Sequence, residues 1–432
     1  MRGRLLHVVE LSTSVSLVEL PWGAWYGDQR HGLHFSDGLS VDVLAPHDAP
    51  ALTAREISLA IGAPVESPPV RDLARNSRSA CLVVDDLARP TRASDVLAPL
   101  VEELREAGLP REGVRIVVAT GSHGALRREQ LEWKVGPAVV SQHPVECHDF
   151  RGTLAETGIE YGDRPWLVNR TFLESDLKIV IGSVLPHTFA GFSGGAKLVL
   201  PGLSDLAATA RSHKFVQLGL RGGADPNENR FRLEAERMAR QIGVRFAVCV
   251  VTNSRRETAG VFAGDLVRAH RLACIAARDV FRTPVDGPYD GAILNAYPKD
   301  IDLIQAENAF VALKTAPSPV VRDGGVVVLA TAASEGLGRH GLFEPGGAGY
   351  RAPARKRALG DRELWIYAPA VSEADVRKLY WDGYPVFHDR DALTSALAQR
   401  LPERARIAVF PCAPTQQADP IERPIAGDRR ER

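Results

Sequence analysis

The feature that most constrains this chain is a series of short apolar runs, each ending in a cluster of polar, glycine or proline residues. Ser79-Ala80-Cys81-Leu82-Val83-Val84 runs into Asp85-Asp86-Leu87-Ala88-Arg89-Pro90-Thr91, and Val114-Arg115-Ile116-Val117-Val118-Ala119 into Gly121-Ser122-His123. Leu177-Lys178-Ile179-Val180-Ile181-Gly182 precedes Pro186-His187 and then Ala190-Gly191-Phe192-Ser193-Gly194-Gly195-Ala196-Lys197. Runs of this length, rich in β-branched residues and bounded by turn signals, read as buried strands. Between the first two, Ser94 predicts a cap for a helix over 95–107, which Gly108 and Pro110 end. Strand–helix–strand implies a parallel pair with a right-handed crossover. Open α/β sheets bind ligands beyond the carboxyl ends of their strands, so each polar cluster stands where a crevice would begin.

A fourth run, 246–251, follows a helical stretch at 229–241. A new α/β pattern starts near Tyr289, with strands at 290–295, 324–330 and 406–410 and helices at 302–314, 372–380 and 390–400. Thr283-Pro284 and Gly287-Pro288 interrupt the two patterns. The expected fold is α/β: two α/β domains in series, 1–284 and 285–432, with the active site in the interdomain crevice. The tail from Thr415 is expected to fray.

Composition removes several partners. Lysine plus arginine (53) equals aspartate plus glutamate (53), so no net field favours nucleic acid or an anionic membrane. The five cysteines are scattered and no C-x-x-C pair occurs, which fits a reducing compartment and excludes a cysteine-type zinc site. Cys81 and Cys249 are expected as buried thiols. The N-terminal 22 residues alternate apolar with polar instead of building a signal segment, and no stretch reaches the roughly 18 apolar residues of a membrane span. A cytoplasmic location is expected.

The clusters carry the chemistry. Asp86 and Arg89 follow a strand end, where the arginine fork can meet a carboxylate or phosphate, or pair structurally with the aspartate. His123 sits in a turn with the intrinsic pKa of a general acid–base group. The loop at Gly191, Gly194 and Gly195 lets backbone amides approach an anion, but Ala196 before Lys197 and Leu198 after it do not fit a Walker A motif. Lys197 is either a desolvated amine nucleophile or a phosphate-binding lysine. Lys299, in Tyr297-Pro298-Lys299-Asp300, occupies the equivalent strand end of the second domain. No G-x-G-x-x-G follows a strand in the first βαβ unit, which weakens an NAD-dependent reading.

The ordered set D-D-x-x-R-P-T, G-S-H, P-H-x-x-x-G-x-S-G-G-A-K and Y-P-K-D resembles the lactate racemase family of nickel-pincer enzymes, from about residue 50 onward. The resemblance implies a nickel-pincer nucleotide: a nicotinic acid mononucleotide derivative with two sulfur-bearing arms, binding nickel through sulfur, carbon and sulfur. It maps His123 and His187 to a catalytic acid–base pair and Lys197 to a covalent cofactor link. His213 maps to the nickel ligand, and Asp86, Arg89, Gly194, Gly195 and Lys299 to positions around cofactor and substrate. It further implies a 2-hydroxyacid racemase or epimerase, dependent on cofactor-synthesis enzymes as partners. Where lactate-specific members carry tyrosine–glutamine, this chain has Asn295-Ala296, which implies space beside Lys299 and a substrate other than lactate. A phosphate- or nucleotide-binding protein without chemistry is the alternative, and it gives the three histidines no role.

Overall fold

The computed structural model describes residues 17–215 and 222–420. Two six-stranded sheets organise them. The first runs in the order Thr258–Asp265, Phe246–Thr252, Leu177–Ser183, Ala80–Asp85, Val114–Ala119, Val145–Cys147. Every pairing is parallel except the antiparallel hairpin between Phe246–Thr252 and Thr258–Asp265. The apolar runs are continuous because both faces are covered. Cys81, Val83 and Val180 pack on one side with Phe231, Ala235 and Met238 of the helix Arg230–Gln241. Leu82, Val84 and Ile179 pack on the other with Val96, Leu97 and Leu100 of the helix Ser94–Glu106. Burying each such aliphatic side chain fully contributes about 1.5–3 kcal/mol. Ser94 does not cap that helix: Ala93 holds the cap position without a side-chain bond, and the Ser94 hydroxyl turns to Asp95 instead.

Strand order reverses between Ala80–Asp85 and Leu177–Ser183. The chain steps outward through Val114–Ala119 to Val145–Cys147, then returns to build the other flank. Connections leave these two neighbours in opposite directions, so a crevice opens beyond their carboxyl ends. Asp85-Asp86 and Pro186-His187 lie at that point.

The second sheet is wholly parallel, in the order Val386–Phe387, Glu363–Tyr367, Val321–Ala330, Tyr289–Asn295, Ala405–Phe410, Leu39–Val43. Its last strand departs from the expected division at residue 284, because Leu39–Val43 pairs with Ala405–Val409. The hairpin of Leu17–Trp22 and Gln29–His34 also packs Val18, Leu20 and Trp22 against Ile293, Val328 and Ile407 of that sheet. The described residues thus start on the second sheet, cross to the first, and return after residue 285. A five-residue strand whose partner lies more than 360 residues away gives no local signal of its pairing. The tail is corrected in part: Gln417–Pro420 pairs with Arg282–Val285. Residues 421–432, and residues 1–16 of the N-terminal segment, lie outside the described residues.

All five cysteines are free, and Cys81 and Cys249 are buried as expected. No helix among the described residues is long and apolar enough to cross a membrane.

Two buried histidines outside the crevice make stability pH-dependent. His148 bonds through Nε2 to the Ser204 carbonyl and His270 through Nε2 to the Ser193 carbonyl, and burial lowers both pKa values. Below the ordinary histidine pKa near 6.5, the unfolded chain takes up protons that these folded rings refuse, so stability falls with pH. The expected outcome is a Tm that declines steadily as pH drops from 6.5 toward 5, read by calorimetry. A flat Tm over that window would mean neither ring resists protonation.

Candidate active site

A cavity of about 430 Å³ lies between the two domains. Asp86, Arg89, His123, His187, Lys197 and His213 line it from the first domain, and Gln305, His340, Phe343 and Lys356 from the second. The sequence clusters from three separate strand ends therefore converge on one space.

The two aspartates have different work. Asp85 Oδ1 pairs with the fully buried Lys134 Nζ at 2.5 Å. Its Oδ2 accepts from Ser183 N–H at 2.8 Å and from the Thr91 hydroxyl at 3.1 Å. This buried knot ties the ends of the two strands that flank the crevice. Asp86 accepts a short hydrogen bond from His123 Nδ1. Burial alone would raise the Asp86 carboxyl, but the neighbouring His123, with Arg89 and Lys134, holds it down at about 2. An ionised carboxylate on Nδ1–H fixes the tautomer and leaves His123 Nε2 with its lone pair, which Gln305 Nε2 meets at 3.2 Å. Arg89 forms no ion pair with Asp86 and bonds only the Ala88 carbonyl through its guanidinium, so the structural pairing is not what the sequence spacing made.

His187 is buried and stands edge-on to Phe189, 4.8 Å between ring centroids. Its Nδ1 accepts from Ala190 N–H at 3.4 Å, which leaves the ring proton on Nε2. Burial, then Lys197 and Arg89, lowers its pKa well below the ordinary value. The two imidazoles are therefore set in complementary forms, one with Nε2 unprotonated and one with Nε2 bearing the proton.

Lys197 sits in the short 3-10 turn Gly195–Leu198. Burial and the charges of Arg89 and Arg232 push its pKa well down, toward a usable amine. The loop before it is shaped by packing. Gly194 has φ +77°, and a Cβ there would meet the Ser183 carbonyl at 3.0 Å; at Gly195, φ +57°, it would meet the His270 ring at 3.1 Å. Arg232, wholly buried, donates to the Gly194 carbonyl at 2.8 Å and holds the loop from behind. Gly194 lines the cavity; Gly195 is among the buried residues that back it.

His213 closes the helix Leu206–His213 and lies between Phe189 and Phe343, with ring centroids at 5.1 and 5.3 Å. Its Nδ1–H donates to the Thr209 carbonyl at 2.8 Å, leaving Nε2 as a lone-pair donor. Burial lowers its pKa to about 4, so the ring is neutral, as a metal ligand must be.

Lys299 is fully buried, and its Nζ finds no hydrogen-bond partner among the described residues. Burial and the charges of Arg89 and Lys197 lower its pKa well below the ordinary value. Arg89, Lys197 and Lys299 thus form a group of basic side chains with no carboxylate partner at ion-pair distance among the described residues, and an anion bound among them would favour the charged forms of both amines.

Asn295 and Ala296 are not brought to the cavity, which corrects the expectation that they line the substrate pocket. Asn295 Nδ2 donates to the Pro21 carbonyl at 2.7 Å and the Pro411 carbonyl at 2.8 Å. Asp300 accepts from Gly23 and Ala24 N–H at 2.8 and 3.1 Å. The N-terminal hairpin thus covers this end of the second sheet, and no sequence pattern near residue 295 reports a neighbour 270 residues upstream. Sequence reasoning also missed Gln305, His340 and Lys356. His340 follows the strand Val321–Ala330 through the glycine-rich segment Gly336-Leu337-Gly338-Arg339, the same strand-then-glycine signal that singled out His123.

Fold and site together define a two-domain α/β protein with His123 and His187 on one interdomain cavity. Residues 26–220 match the model of the lactate racemase N-terminal domain. The chain is 27% identical over 287 residues to lactate racemase of Lactiplantibacillus plantarum, spanning 65% of this chain and 66% of that enzyme, just under two thirds of its length. It is 26% identical over 300 residues to lactate racemase of Thermoanaerobacterium thermosaccharolyticum, spanning 66% and 67%. The structure of the latter's apoprotein superposes with a TM-score of 0.72 at 20% identity, covering 93% of this chain and all of that one. A Thermotoga maritima protein superposes at 0.66 and 17% identity, covering 87% and 100%. By sequence over about two thirds of its length, and by fold, the chain is similar to lactate racemases.

Proposed function

We propose that the protein is a 2-hydroxyacid racemase or epimerase that works with a nickel-pincer nucleotide. The observation that carries this reading is the complementary pair: His123 with an unprotonated Nε2 fixed by Asp86, and His187 with its proton on Nε2, on one cavity. Inverting a hydroxyl-bearing carbon requires a base for one enantiomer and an acid for the other, and the roles exchange in reverse.

The residues fit the cofactor. Lys299 Nζ, buried without a hydrogen-bond partner, and the unpaired Arg89 and Lys197 suit a phosphate-bearing anion. His213 offers one imidazole lone pair, and no group of three or more His, Cys, Asp or Glu among the described residues could hold a metal. One protein ligand suits a metal whose other ligands come from an organic group. When bound, the cofactor supplies a reversible acceptor for the α-hydrogen as hydride. The protein does the rest. His123 Nε2 takes the hydroxyl proton from one enantiomer. His187 is charged to the imidazolium by a proton from water, as the carboxylate of a bound 2-hydroxyacid beside it favours its charged form over the neutral form that burial and the cations around it favour without substrate. It returns a proton to the oxygen as the other enantiomer forms and is left neutral. Arg89 on the cavity wall holds the carboxylate, and Lys299, fully buried and not among the residues that line the cavity, supplies a second basic group whose charged form a bound anion would favour. Gln305, Asn308, His340 and Lys356 on the second-domain wall suit a substituent more polar than methyl, which favours a substrate other than lactate.

Racemisation of single enantiomers from lactate through malate to aldonates, by cofactor-loaded protein, tests the reading. Turnover of at least one acid is expected, with a polar or longer acid ahead of lactate. His213→Ala should weaken nickel retention by about 10–100-fold or more, measured by elemental analysis of the loaded protein. Full nickel occupancy in that variant would remove His213 as the ligand.

A further inference from the structure

One imidazole in the cavity has no part in the acid–base pair or in the proposed nickel site. His340 is 6% exposed and comes from the second domain. Its backbone bridges to that of His123, and Gly341 N–H donates to the Ser122 carbonyl at 2.7 Å. The rings of His123 and His340 lie 4.9 Å apart at 60°. His340 is therefore held beside the proposed base by main-chain bonds from the opposite domain.

Its tautomer follows from its partners. Nδ1 accepts from Leu342 N–H at 3.2 Å and Phe343 N–H at 3.3 Å, and meets the Ser122 hydroxyl at 3.2 Å. Backbone N–H groups can only donate, so Nδ1 carries a lone pair and the neutral ring must hold its proton on Nε2. Burial and the nearby His123 keep the ring neutral. No described residue accepts a hydrogen bond from Nε2, although the residue lines the cavity. A ring with hydrogen on Nε2 and Nδ1 already engaged has no lone pair for a metal. What it offers is a single N–H donor on a ring whose centroid lies 4.9 Å from that of His123.

We propose that His340 is a third catalytic histidine whose Nε2–H donates to the oxygen on C2 of the bound 2-hydroxyacid, stabilising the negative charge that grows there as His123 removes the hydroxyl proton. The role rests on the racemase reading. It differs from that of the acid–base pair, because His340 moves no proton. A preorganised donor aimed at a developing oxyanion acts mainly in the transition state, and losing one costs about 10²–10³ in kcat.

The test uses cofactor-loaded protein and its best acid from the panel. His340→Phe keeps the ring's packing against Phe343 but removes the N–H, and should lower kcat about 10²–10³-fold with little change in KM. His340→Gln, which retains an N–H donor, should recover part of that loss. ¹⁵N NMR of histidine-labelled wild-type protein should show His340 neutral and protonated at Nε2, whatever the variants do. Wild-type activity with unchanged kcat in His340→Phe, or an Nδ1-protonated His340, overturns this role alone. Wild-type inactivity on every acid overturns the racemase reading and this role with it, and the NMR tautomer separates a failed reaction from a misread ring.

Discussion

Replacing His123 or His187 with glutamine should each lower kcat for racemisation by about 10²–10⁴-fold. Glutamine fills similar space and bonds similar partners, yet cannot carry a proton. The two variants should fail in different half-reactions. Asp86 holds His123 Nδ1–H, so His123 is the group ready to accept a proton. His187 holds its proton on Nε2 through the Ala190 contact. His123→Gln should lose dehydrogenation of the enantiomer whose hydroxyl proton His123 accepts, while His187→Gln should lose dehydrogenation of the other, in which direction His187, its Nε2 unprotonated, is the base. Each variant keeps partial reaction with the enantiomer its remaining histidine serves, seen as 2-oxoacid formed in a single turnover. Loss of both half-reactions in both variants, with fold and nickel intact, would mean the rings do not act on opposite faces.

Lys134→Met should destabilise the first domain by about 3–5 kcal/mol. Its Nζ is wholly buried, pairs with Asp85 and donates to the Thr91 carbonyl at 2.8 Å. Methionine fills the volume but strands the Asp85 carboxylate without a counter-charge, and that uncompensated charge dominates the cost. For a domain of this size the shift is roughly 10 °C in Tm. Adding Asp85→Asn should recover a large part, because replacing both members removes the unpaired charge. Equal Tm values for Lys134→Met and wild type would show that the knot at the strand ends contributes nothing.

The first sheet was legible because its inner strands are mostly apolar, and Asp86, His123 and His187 each follow such a strand within four residues. Periodicity and turn chemistry are local, so they located those strands within a residue or two. What failed was non-local. Leu39–Val43 finds its partner across almost the whole chain, and the hairpin carbonyl at Pro21 claims the Asn295 amide that the family resemblance had assigned to substrate. Val145–Cys147 has only three residues and is partly exposed, too short for an apolar run. The helix expected at 302–314 is instead Leu303–Ala306, a 3-10 turn over Glu307–Phe310, and Val311–Thr315. That broken path lines the cavity at Gln305, Glu307 and Asn308. His340 was visible as a residue but not as a neighbour of His123, since only the domain contact brings the two together.

The most direct measurement follows the α-hydrogen. Cofactor-loaded protein is given one enantiomer of its best 2-hydroxyacid in D₂O, and the product enantiomer is examined by NMR. Transfer of the hydrogen as hydride, with His123 and His187 handling only the hydroxyl proton, predicts racemisation with protium retained at C2. Deuterium at C2 of the product, incorporated in step with racemisation, would show that the histidines exchange a proton at carbon, and would contradict the account.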